Sequence, residues 1–256
     1  MKVVSPEAVM NDYSSKLGKI YSYLKMLIRI SMRRLIHAQN ISRQDKRVID
    51  LDWNRLNHNR IEIVNRIAVK INAKNYLEIG TANNLLFNSV ICDLKIGVDP
   101  HKGGTVRQTS DKFFQSNSLT FDLIFIDGLH TYSQVLKDVN NSLKFLSENG
   151  VIMIHDMFPR SWVECFVPTV TLADWTGDVW KLAYSHFDEC GLEFQLITID
   201  HGIGIIRKKQ KTIENIVFDN DLAKKEFEFF YRNFESLPII DWEKALELID
   251  RLKPIN

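Results

Sequence analysis

Four apolar runs, each ending at an acidic residue, constrain this chain more than anything else in its 256 residues. Tyr76-Leu77 leads into Glu78-Ile79-Gly80, Lys95-Ile96 into Gly97-Val98-Asp99-Pro100, the run from Phe121 to Ile126 into Asp127-Gly128, and Val151 to Ile154 into His155-Asp156. The stretches between them, over 83–94 and 132–146, read as helices. Strand and helix in alternation specify a parallel sheet covered on both faces. In such a sheet, ligands bind outside the carboxyl ends of the strands, so acids at consecutive strand ends converge on one crevice.

The remaining chain adds detail to this frame. Leu17, Ile20, Tyr21, Leu24, Leu27, Ile28, Met32 and Leu35 recur at three- and four-residue steps, predicting a helix from Pro6 to about Gln39 with a basic opposite face. Residues 41–50 read as a polar linker and 53–71 as a second amphipathic helix. A short exposed strand is predicted over 105–109, then a one-turn helix opened by the cap pair Ser110-Asp111. Beyond Pro159 and Pro168 a helix is expected over 179–189, followed by apolar runs at Leu192–Ile199 and Ile203–Ile206. Only Asp200-His201-Gly202 separates those runs, which forces an antiparallel hairpin. The tail reads as two helices laid over the sheet. The expectation is therefore an α/β chain: a helical extension over 1–50, a doubly wound, mostly parallel seven-stranded sheet ending in an antiparallel hairpin over 51–210, and packing helices over 211–256.

Composition narrows the function classes. With 45% hydrophobic and 25% charged residues the chain can bury a full core, and a net charge of +1 gives no general attraction to nucleic acid. The cations are uneven, however, since Lys16, Lys19, Lys25, Arg29, Arg33 and Arg34 crowd the first forty residues. That basic helix is expected to pack on its own domain or on a second copy in a homo-oligomer, with contact to an anionic membrane surface as the alternative. Cys92, Cys165 and Cys190 form no CxxC pair and leave one over, which argues against disulfides or zinc. With no membrane-spanning run and no signal-peptide pattern, the expected location is cytoplasmic.

The strand ends carry the chemistry. Glu78-x-Gly80 sits where a backbone turn lets a ligand approach, and Asp99 follows about twenty residues later, where an acid takes ribose hydroxyls in nucleotide-binding α/β folds. The phosphate-cradling G-x-G-x-x-G is absent, since the run is Gly80-Thr81-Ala82-Asn83-Asn84-Leu85. This favours an adenosine ligand with no phosphate to hold.

Leu77-Glu78-Ile79-Gly80, Ile96-Gly97-Val98-Asp99-Pro100, Thr109 to Phe114, Phe121 to Tyr132, His155-Asp156 and Gly177 to Lys181 together resemble class I S-adenosylmethionine-dependent methyltransferases. Within them the chain is similar to the branch containing sugar and glycan O-methyltransferases, over roughly 57–207. The resemblance implies a Rossmann-like fold and S-adenosylmethionine as cofactor. It implies that Glu78, Gly80 and Thr81 lie near its methionine end, that Asp99 with Pro100 takes the ribose, that Ser110 and Asp111 lie near the adenine, and that Asp127 borders the site. One departure stands out: Asn84 occupies the place of the family's second loop glycine.

Methyl transfer to an alcohol needs the two reactants held in line and the hydroxyl proton removed. His130, one turn beyond Asp127, suits the base role, with His155 as the alternative proton acceptor. Related enzymes place a divalent ion at these strand ends, and Asp127, His155 and Asp156 make a plausible Mg²⁺ or Mn²⁺ set. The expected function is methyl transfer to a hydroxyl of a sugar-containing or other small acceptor. The alternative is a non-catalytic module of the same fold that binds a partner protein or membrane through its helical tails.

Overall fold

The computed structural model describes residues 6–255, the side chains of 6–19 and of Asn54 excepted. Helix α1 (Pro6–Asn40) is followed by α2 (Arg60–Lys70), β1 (Asn75–Ile79), α3 (Leu85–Ser89), β2 (Leu94–Val98), α4 (Ser110–Ser116), β3 (Phe121–Ile126), α5 (Tyr132–Lys144) and β4 (Leu146–Ile154). Then come α6 (Trp162–Cys165), a 3-10 turn at Val179–Tyr184, β5 (Leu192–Ile197), β6 (Ile203–Lys208), α7 (Asn220–Ala223), α8 (Phe227–Asn233), β7 (Ile239–Ile240) and α9 (Trp242–Asp250).

The strands form one sheet in the order β2-β1-β3-β4-β6-β5-β7, parallel throughout except for β6. The alternation of strand side chains assigns them to two cores. Leu123 and Phe125 face α2, α3 and α9, whereas Ile124 and Ile126 face α4, α5 and the aromatic groups around Trp180 and α8. Covering both faces lets β3 be apolar at nearly every position without exposing any of it.

The seven strands and the antiparallel hairpin follow the sequence-based expectation, with one exchange. The strand expected over 105–109 is a single bridge from Val106 to Val98, because Gly103 and Gly104 carry the chain through left-handed turns instead of an extended edge. The seventh strand is β7, in the tail that reads as purely helical; two residues are too few to show a period. The helix expected over 179–189 is only the short 3-10 turn, and that expected over 53–71 starts as a helix at Arg60, capped by the Asn59 side chain.

Chain order reverses about β1, with β2 on one side and β3 on the other. Such a switch point opens a crevice at the carboxyl ends of the strands. Among the described residues the last turns of α1 meet the domain: Arg33 donates to the Thr171 carbonyl at 2.9 Å, His37 stacks on Trp162 and Ile36 packs on the core.

Candidate active site

The crevice at the switch point is a cavity of about 710 Å³, within the size range of small-molecule sites. Its wall begins at Gly80, whose φ of +84° turns the chain away from β1. A Cβ there would lie 2.0 Å from the Asp127 carbonyl oxygen, so the ends of β1 and β3 meet only because this residue has none. Asn84 takes a φ of +63°, so it holds the left-handed turn expected of the missing glycine, and its Oδ1 also accepts from the Gly104 N–H at 2.6 Å.

Asp99 lies at the end of β2, nearly buried, and lines the cavity beside Pro100. Its oxygens accept from the backbone N–H groups of Ala82, His101 and Lys102. Burial alone would raise its pKa, but these donors and Arg107 hold the carboxyl below its usual value. Ser110 and Asp111 line the cavity further along, tied to each other through Gln134 Nε2.

Glu78 and Thr81 do not line the cavity. Glu78 is buried and accepts from the Tyr76 hydroxyl at 2.6 Å, and Thr81 is buried under the 102–104 loop. Burial, with the charge of Asp127 added and the Tyr76 hydrogen bond opposing, pushes the Glu78 carboxyl up to about 7. Because this folded value exceeds the unfolded one near 4.5, the native state binds the proton more tightly. Stability then falls as pH rises from about 4.5 to about 7 and stays lowered above that. Glu78→Gln is expected to gain up to about 3 kcal/mol relative to wild type between pH 5 and pH 8, read from thermal unfolding at the two pH values. An offset that does not change with pH would contradict this.

At the ends of β3 and β4 the polar groups form a compact cluster. His130 Nε2 lies 3.3 Å from Asp127 Oδ1 and its Nδ1 3.0 Å from Asp156 Oδ2. Asp127, His130 and Asp156 each present one ligand atom within 4.8 Å of the others, a geometry that suits a cation. His155 stands behind them, buried, with Nδ1 3.3 Å from Asp127, Nε2 3.4 Å from Asp200 and Arg60 Nη1 2.6 Å from Nε2. Both imidazoles therefore meet both carboxylates, His155 Nδ1 lying 3.2 Å from Asp156 Oδ1, and His130 joins the set expected of Asp127, His155 and Asp156. Burial alone would lower the His130 pKa, but the hydrogen bond to Asp127 and the field of Asp156 more than offset it and push the imidazole up to about 9. The same carboxylates raise His155, and the two histidines hold Asp127 far below its usual value despite the opposing effect of burial.

Arg60 and Asp200 belong to this cluster and were not legible in sequence. Asp200 Oδ2 accepts from the Arg60 N–H at 2.9 Å, and the Arg60 side chain approaches Asp127 and Asp200 at 3.9 and 3.7 Å. Asp200 reads as a turn residue of the hairpin and Arg60 as the first residue of a helix, 140 positions apart. Among the tryptophans of the 162–180 segment, Trp162 and Trp180 are core, whereas Trp175 lines the cavity and stacks on His130 at 5.3 Å. Asp178 and Lys181, in the Gly177 to Lys181 run, pair with each other, and Asp178 also accepts from the Tyr132 N–H at the start of α5. That run has a structural role.

Among the described residues, Asp99, Asp111, Asp127, Asp156, Asp174 and Asp200 line the cavity together with Arg60, four histidines and no lysine. This donor set fits a cationic ligand with a ribose, such as one carrying a sulfonium and an ammonium, and does not fit a pyrophosphate.

Residues 35–157 match the model of a family described as a methyltransferase domain, a span that contains β1 to β4 and ends just after Asp156. No curated protein matches the sequence. Similar solved structures include an O-methyltransferase from Bacillus cereus in complex with SAH (13% identity, 70% of this chain and 90% of that one, TM-score 0.42). A Podospora anserina methyltransferase bound to SAH is 16% identical over 61% of this chain and 84% of its own, with a TM-score of 0.43. A SAM-bound amino pentose methyltransferase from Micromonospora echinaspora is 14% identical over 68% and 96%, with a TM-score of 0.42.

Proposed function

We propose that this protein is a class I S-adenosylmethionine-dependent methyltransferase that methylates a hydroxyl of a sugar-containing or other small acceptor. The observation that carries the reading is the convergence of Asp99, Asp127 and Asp156, from the ends of β2, β3 and β4, on one acidic cavity that Gly80 keeps open. The methyltransferase-domain match over 35–157 supports the cofactor class. Asp99 would hold the ribose, Ser110 and Asp111 would border the adenine, and Gly80 would admit the methionine end.

Methyl transfer to an alcohol is an in-line displacement in which the sulfur–methyl bond breaks as the oxygen–methyl bond forms and the hydroxyl proton leaves. His130, under Trp175 and between two carboxylates, would take that proton. Those carboxylates also keep it protonated near neutrality, so it acts as a base only when another positive charge in the crevice takes up their field. The carboxylates of Asp127 and Asp156, beside His130, would hold a divalent ion, which when bound supplies Lewis-acid stabilisation of the alkoxide and would leave the His130 imidazole neutral to take the proton. Trp175 offers the acceptor a flat apolar face.

The test is transfer of labelled methyl from S-adenosylmethionine to a panel of glycosides and small alcohols, with Mg²⁺ and with a chelator. Product on a hydroxylated acceptor is expected, and Asp127→Asn is expected to lower the rate in a way that added Mg²⁺ partly restores. Activity unaffected by chelation would remove the metal from this reading, and labelling confined to nitrogen acceptors would remove the hydroxyl.

A further inference from the structure

The exposed face of α1 does not serve its own domain. At about 100° per residue, Ile20, Leu24, Leu27, Ile28, Met32 and Leu35 fall within about 70° of one line along the helix. The residues that touch the domain, Arg33, Ile36 and His37, lie on nearly the opposite side. The stripe thus points away from the protein, with Leu24 51%, Ile28 59% and Leu35 59% exposed. Apolar side chains in a continuous exposed row mark a binding surface.

Charge identifies what covers it. Between Asp12 and Asp45 the chain has seven Lys and Arg residues and no Asp or Glu. Lys25 and Arg34 border the stripe at about 90° on either side, where their heads can reach past an apolar contact to anions beyond it. Two copies of α1 laid against each other along this stripe would bring these cations together, since the helix's acids, Glu7 and Asp12, both precede it. Among the described residues no helix is long and apolar enough to cross a membrane, and an apolar row with basic borders is the pattern of a helix that lies in the surface of one. We propose that α1 is a lipid-surface helix, its apolar row in the interface of an anionic bilayer and its basic borders on the lipid phosphates. The segment that carries Trp175 is fastened to α1 through Thr171 and Trp162, so the surface holds that segment close to the lipid.

The test is flotation of the full chain with vesicles of phosphatidylcholine alone and of phosphatidylcholine with phosphatidylglycerol. Binding to the anionic vesicles only, reversed by salt, is expected. Leu24→Glu with Ile28→Glu, and separately Lys25→Glu with Arg34→Glu, should each weaken it about tenfold or more while leaving thermal unfolding unchanged, since all four side chains are exposed. No flotation at low salt, or equal flotation with neutral vesicles, overturns the proposal. So does a wild-type dimer in solution that Leu24→Glu with Ile28→Glu dissociates, which would assign the stripe to a second copy.

Discussion

Gly80→Ala is expected to abolish cofactor binding and destabilise the protein by about 2 to 6 kcal/mol, the sum of left-handed strain and overpacking against a strand that cannot yield. The methyl group would sit 2.0 Å from the Asp127 carbonyl oxygen and 2.7 Å from the Gly128 Cα, all of it backbone. Relief requires the ends of β1 and β3 to part, and those ends are pinned by the Asp127 N–H on the Ile79 carbonyl and the Gly80 N–H on the Val98 carbonyl. The crevice is built on that junction, so its shape and the chain's stability should fail together. Chemical denaturation and cofactor titration on the same variant check this; wild-type stability would mean the junction is softer than its geometry indicates.

His130→Ala is expected to lower turnover by roughly a hundredfold or more, the usual loss for a proton-handling group, with cofactor affinity little changed. Its neighbour provides the contrast. His155 is buried among Asp127, Asp156, Asp200 and Arg60, so His155→Ala leaves several charges without their partner and should cost about 3 to 5 kcal/mol in stability. Gly177 gives an independent view, since its φ is +59° and a Cβ would lie 1.8 Å from the His130 carbonyl oxygen. Gly177→Ala should displace the His130 loop and lower turnover in the same direction. Single-turnover rates and unfolding midpoints for the three variants separate the roles; an unimpaired rate for His130→Ala removes it from the chemistry.

The strand ends were legible because each acid is fixed by the strand before it: once β1 to β4 are read from their apolar runs, Asp99, Asp127 and Asp156 have only one place to go. Asn84 was legible for the same reason, since a left-handed turn was required there whatever residue supplied it. What sequence order hides is contact across the fold. Arg60 and Asp200 meet because α2 starts where the β5–β6 hairpin turns, and neither element announces the other. Glu78 shows the opposite limit: it sits at a strand end like the others, yet Tyr76 draws its side chain inward, away from the cavity. His130 and His155 meet the same two carboxylates from different sides, one from the open loop and the other enclosed by Arg60 and the hairpin turn.

The most direct test of the central claim is calorimetric titration of S-adenosylhomocysteine into wild-type protein and Asp99→Ala. On the proposed reading Asp99 accepts from the ribose, and losing such a hydrogen bond costs about 1.5 to 3 kcal/mol. Saturable micromolar binding to wild type, weakened by roughly tenfold or more in Asp99→Ala, is the result expected of a crevice built for this cofactor. Absence of binding to wild type, or tight binding indifferent to Asp99, would contradict it.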